Sequence, residues 1–163
     1  VHASEVERDV TEADAVWTDQ PGQVCAVMVA DCVPILLAAK DGSCVAAIHA
    51  GWRGLAAGVI EETVKALPVA GEDLMAAIGP CIGPTAYKVG DEVIRELHAA
   101  DGQPVFTSGY LDLVATVRAQ LLRCGLREPL SSLNLFTNSL YNHLFSYRRN
   151  CITGRFSAFS CIL

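Results

Sequence analysis

Three short apolar runs constrain this chain most: 24–29 (Val-Cys-Ala-Val-Met-Val), 34–39 and 44–49. They are rich in β-branched residues and read as consecutive buried strands. The last two flank Lys40-Asp41-Gly42-Ser43, a turn sequence, so they predict a β-hairpin. A hairpin centred near residues 40–41 places Cys32 opposite His49 on neighbouring strands. Directly opposed Cβ atoms lie roughly 4.5–5.5 Å apart, close enough for a thiolate and an imidazole to hold one metal ion. A one-residue slip in the turn would send the two side chains to opposite faces.

Downstream, Gly51 and Gly54 bracket a turn. Leu55, Val59, Ile60, Val64 and Leu67 then recur at helical spacing, with Glu61 and Glu62 on the other face and Pro68 as a stop. A strand over 74–78 runs into Gly79-Pro80-Cys81-Ile82-Gly83-Pro84, a loop shaped by its prolines and glycines. Asp91 caps a helix to about residue 100, which breaks at Asp101-Gly102. A second helix spans about 111–123, with Val114, Val117 and Leu121 inward and Gly125 past its end. Residues 131–142 are polar and carry no clear pattern. A final strand over 156–163 follows a turn at Thr153-Gly154. Strands and helices are interspersed, so the expected class is α+β (mixed α/β) with layered sheets. Repeats, low-complexity tracts and linkers are absent, which makes 1–163 one domain. The opening Val1-His2 is read as lacking a native N-terminal part.

A hydrophobic content of 52 % over 163 residues suffices for a sizeable core. The balance of 18 acidic against 12 basic residues argues against a broad nucleic-acid footprint. It still permits a local basic pocket drawn from Arg148, Arg149 and Arg155. No apolar run reaches the roughly 20 residues of a membrane span, and no signal peptide is visible. The seven cysteines form no CxxC pair, which favours reduced thiols and a cytoplasmic setting over a disulfide scaffold. Cys25, Cys44 and Cys161 read as small buried hydrophobes.

Zinc favours thiolate and imidazole ligands, and a catalytic zinc keeps three protein ligands with water in the fourth position. Cys32 and His49 supply two. The third comes from His2, His98, His143 or Asp31, with His98 better suited to an ordinary helix-surface role. Asp31 can orient a metal-bound histidine or cap a turn. Arg53, on the glycine-flanked turn after His49, is the first candidate anion contact, followed by Arg148 and Arg149. Cys81 lies in a loop suited to a pocket wall. The alternative to a metal site is a Cys-His hydrolase acting on an amide such as a peptidoglycan precursor, with Cys32 as nucleophile and His49 as its base.

Several motifs follow in order: Val1-His2-Ala3, Ala13-Asp14-Ala15-Val16-Trp17-Thr18, Ala30-Asp31-Cys32-Val33-Pro34, His49-Ala50-Gly51-Trp52-Arg53-Gly54, the Gly79–Pro84 loop and Phe145-Ser146-Tyr147-Arg148-Arg149. The chain closely resembles the YfiH/laccase-domain family, formerly called polyphenol oxidases and now regarded as purine nucleoside phosphorylases. The resemblance runs from the first residue to the last and implies a YfiH-like fold. It also implies a zinc ion on His2, Cys32 and His49, and phosphorolysis of adenosine, inosine, guanosine and methylthioadenosine together with adenosine deamination. The implied partners are purine nucleosides and phosphate, with no nucleic acid and no membrane.

A multicopper centre needs many imidazoles, and four histidines in all exclude a conventional one here unless an absent N-terminal part supplied most of its ligands. Copper can still substitute for zinc at one site, because raw affinity favours Cu²⁺. The competing classes are therefore a zinc-dependent nucleoside phosphorylase, a metal-free thiol hydrolase and a non-catalytic nucleoside binder.

Overall fold

The computed structural model describes residues 1–5, 12–100, 104–128, 130–139 and 143–163. The expected break at Asp101-Gly102 lies outside them. Strands β1 (Ala15–Thr18), β2 (Val24–Val29), β3 (Val33–Ala39) and β4 (Val45–Ala50) are followed by helices α1 (Trp52–Ala56) and α2 (Val59–Ala66). Then come β5 (Leu74–Ile78), α3 (Asp91–Ala99), β6 (Val105–Thr107), β7 (Tyr110–Asp112), α4 (Leu113–Arg123), β8 (Ser131–Ser132) and β9 (Phe156–Cys161). The class is α+β, as expected. Among the described residues no helix is long and apolar enough to cross a membrane.

A five-stranded sheet runs in the order β1-β4-β3-β5-β8, antiparallel except for the last pair. Alternation along β3 and β4 gives the sheet two apolar faces. Ile35, Leu37, Ala46 and Ile48 point into the main core with Leu55 and Ile60 of the helices. Val45 and Ala47 point the other way and meet Cys25, Val27 and Ile162. That second face is covered by the β2–β9 ribbon, tied across by Ser160 Oγ donating to the Ala46 carbonyl at 3.3 Å. Each fully buried aliphatic side chain contributes about 1.5–3 kcal/mol through burial, so the β3–β4 hairpin anchors both layers.

The hairpin forms as expected, but its register differs by two. Pro34, not Cys32, lies opposite His49. A shift of two preserves which face each side chain takes, so Cys32 and His49 still share a face as diagonal neighbours. The helix expected over 55–67 is broken in two at Gly58, which adopts φ +79, a left-handed conformation that glycine takes at little cost. Gly54 does not flank a turn; it is buried inside α1. Asp112 starts α4 by accepting from the Ala115 amide at 2.9 Å. β1, β6 and β7, at three or four residues each, are too short to show a period in the sequence.

Candidate active site

His49 is the penultimate residue of β4, and β1 runs beside it. The pairing of Ala15 with Ile48 brings Asp14 next to His49, where the His49 amide donates to the Asp14 carbonyl at 2.7 Å. The side chains meet as well: His49 Nδ1 donates to Asp14 Oδ1 at 2.8 Å. This leaves Nε2 turned toward Cys32. The Cys32–His49 hydrogen bond pushes the imidazole pKa up to about 9; burial opposes the shift and Asp14 reinforces it.

Gly51 lies two positions after His49, and its missing side chain matters. A Cβ there would lie 3.0 Å from Cys32 Sγ and 3.8 Å from His49 Nε2. Thiol and imidazole thus converge on space that only glycine leaves open. Gly51→Ala is expected to displace the thiol and lower turnover between about tenfold and a hundredfold. Thermal denaturation should show a small change in Tm, and steady-state kinetics a large one; unchanged kinetics would dismiss the convergence as incidental.

Cys32 and His49 open into a cavity of about 350 Å³, within the usual range for small-molecule sites. Tyr87 and Tyr147 supply aromatic walls, and Arg148 and Arg155 supply the cations. The Arg148 guanidinium stacks 4.8 Å from the Tyr87 ring centre and donates to the Lys88 carbonyl at 3.0 Å. Burial is the main cause that pushes the Tyr87 hydroxyl up to about 12, so it stays protonated and able to donate. A larger recess of about 760 Å³ beside α2 and α4 holds Cys124 but, among the described residues, no histidine.

Other expected site residues fall elsewhere. His2 lies alongside β1, with its ring edge on Trp17 at 4.5 Å. Its Nδ1 accepts from the Ser4 amide and hydroxyl, while Nε2 donates to Asp19 at 3.1 Å. Arg53 lies in α1 and covers Trp52 at 4.4 Å without lining the cavity. Arg149 does not line this cavity; its guanidinium donates at 2.7 Å to the Thr137 and Leu144 carbonyls, clamping loop backbone. Cys81 is only 1 % exposed and does not line the cavity, and burial raises its thiol to about 12. Asp31 does line the cavity, but it does not orient His49; Asp14 does. Both Asp31 carboxylate oxygens are engaged by Thr137 and Arg148.

The pair fits zinc in kind: a thiolate, and an imidazole whose second nitrogen is held by a carboxylate, the usual support of a metal-bound histidine. In number it falls short. Among the described residues no group of three or more His, Cys, Asp or Glu side chains is placed to hold a metal ion. Sequence reasoning missed Asp14, Tyr87 and Tyr147. Asp14 was legible only through the β1–β4 pairing, and Tyr87 carries no local pattern.

Residues 1–163 match the family described as multi-copper polyphenol oxidoreductase laccase. The chain is 42 % identical over 153 residues to the Escherichia coli purine nucleoside phosphorylase YfiH, covering 90 % of this chain and 63 % of that one. It is 41 % identical to the purine nucleoside phosphorylase PA4543 of Pseudomonas aeruginosa, covering 91 % and 64 %. The crystal structure of Neisseria meningitidis protein NMB0706 superposes with a TM-score of 0.83 at 37 % identity, over 93 % of this chain and 65 % of that one. YlmD from Geobacillus stearothermophilus gives 0.83 at 34 %, over 91 % and 60 %. The chain therefore spans less than two thirds of the length of these relatives.

Proposed function

Since the chain belongs to the YfiH/laccase-domain family, we propose that it catalyses phosphorolysis of purine nucleosides in the Cys32–His49 cavity. The carrying observation is convergence: a thiol–imidazole pair, two arginines and two tyrosines face one recess of about 350 Å³. Phosphorolysis needs an anion held against a sugar carbon while an aromatic base departs. Arg148 and Arg155 bind the phosphate, and stacking on Tyr87 restrains the Arg148 guanidinium at the cavity wall. Tyr147, Met28 and Leu113 offer the purine an apolar and aromatic wall. A phosphate oxygen bonds to C1′ as the C1′–N bond breaks, and its electron pair leaves with the purine. Adenosine, inosine, guanosine and methylthioadenosine are the substrates in this reading, with deamination of adenosine as a second activity.

Zinc is the proposed cofactor, with Cu²⁺ as a substitute, and Cys32 and His49 would hold it; His2 would have to leave Ser4 and Asp19 to join them as the family's third ligand. A bound zinc would supply positive charge and an acidified water. Asp14 keeps Nε2 of His49 directed at the cavity whether or not a metal is present.

The test separates the arginines. One charge-assisted contact to phosphate is worth about 1.5–3 kcal/mol, so Arg148→Ala should raise the phosphate KM tenfold or more, as an order of magnitude. Arg53→Ala, outside the cavity lining, should change it less than about threefold. Equal phosphate saturation in the Arg148 variant would remove the anion site from this recess.

One observation favours a second reading. Asp14, His49 and Cys32 stand in the order orienter, base, nucleophile, which suits a metal-free hydrolase attacking an amide through the thiolate. Metal dependence divides the two.

A further inference from the structure

Asp31 adopts φ +89, although a residue with a Cβ seldom takes that region, and it is only 6 % exposed. Strain and burial together call for compensating contacts, and three distant segments supply them. Thr137 Oγ1 donates to Oδ1 at 2.5 Å, the Arg148 backbone amide donates to Oδ2 at 2.7 Å, and the Ile82 amide donates to the Asp31 carbonyl at 2.9 Å. Asp31 therefore joins the bend that bears Cys32, just before β3, to the turn bearing Arg148. Within that turn Arg149 N donates to Ser146 Oγ at 3.2 Å and Asn150 N to the Ser146 carbonyl at 3.0 Å. Those bonds shape the turn internally, whereas the Asp31 bond fixes where it stands.

We infer that Asp31 is a positioning residue for the anion subsite: its carboxylate fixes the Arg148 turn so that the guanidinium lies over Tyr87 and lines the recess shared with Cys32. The inference rests on the phosphorolysis reading. It gives the buried carboxylate no proton-transfer role, because both oxygens already accept from fixed donors. Asparagine tests this directly. Its oxygen can accept from the Arg148 amide while its amide nitrogen donates to Thr137 Oγ1, so the bridge survives without the charge. Alanine removes the bridge.

Binding of inorganic phosphate to the full chain, measured by calorimetry, is the readout, with phosphate KM and kcat alongside. Asp31→Ala should weaken phosphate binding about tenfold, comparably to Arg148→Ala. The double variant should be no weaker than Arg148→Ala alone, because the two changes act through one guanidinium. Asp31→Asn should stay within about threefold of the parent. Losses that multiply in the double variant would overturn the inference and leave phosphorolysis standing. So would an Asp31→Asn variant that loses kcat with phosphate binding intact. A parent chain that binds no phosphate overturns both. If Asp31→Ala does not fold, Thr137→Val serves: a weakening of about threefold, absent in the Arg148→Ala background, supports the bridge. The same weakening in both backgrounds overturns it.

Discussion

Replacing His49 with alanine is expected to lower kcat for inosine phosphorolysis by about a thousandfold, within the range that positioned acid–base or ligand groups contribute. The imidazole is where Asp14, Cys32 and the cavity meet, so its loss removes the thiol's partner and strands the Asp14 carboxylate. Folding should survive, since the His49 side chain is 34 % exposed and lies at a strand end. The pH dependence of the metal-free protein gives an independent check. His49 rises from 6.5 to about 9 on folding, so the folded state favours its charged form. That contribution is fully present below about pH 6.5 and is lost as pH rises through about 9. Solvent screening at a partly exposed site limits its size, so the signature is the shape of the curve. Denaturant titrations of the parent should show stability falling across this window, while His49→Ala should be flatter. Parallel curves, or an active variant, would contradict the assignment.

Removing metal is expected to have the second largest effect. After dialysis against a strong chelator, phosphorolysis should fall at least about a hundredfold and return on adding stoichiometric zinc. Cysteine and histidine ligands must lose their protons to bind, so reactivation should be slower at low pH. The opposite outcome is equally informative. A metal-free chain that keeps full activity and is inactivated by iodoacetamide at Cys32 would establish the thiol as nucleophile and Asp14–His49 as its activating pair. Metal content measured alongside activity separates the two readings.

Local pattern along the chain suffices for the secondary elements that depend on it: the β3–β4 hairpin, β2, β5, α3, α4 and β9 all lie close to the expected ranges. Apolar periodicity reports directly on which face is buried. It also determined that Cys32 and His49 belong together, because a register shift of two leaves strand faces unchanged. Tertiary structure decided everything that rests on contacts between distant segments. Asp14 reaches His49 through the β1–β4 pairing, across 35 positions. Arg148 and Arg149 are neighbours in the chain, yet one lines the cavity and the other clamps carbonyls. Asp31 holds partners 106 and 117 positions away. No local pattern encodes such bonds, because their energy comes from polar groups that must find partners wherever the packed chain leaves them.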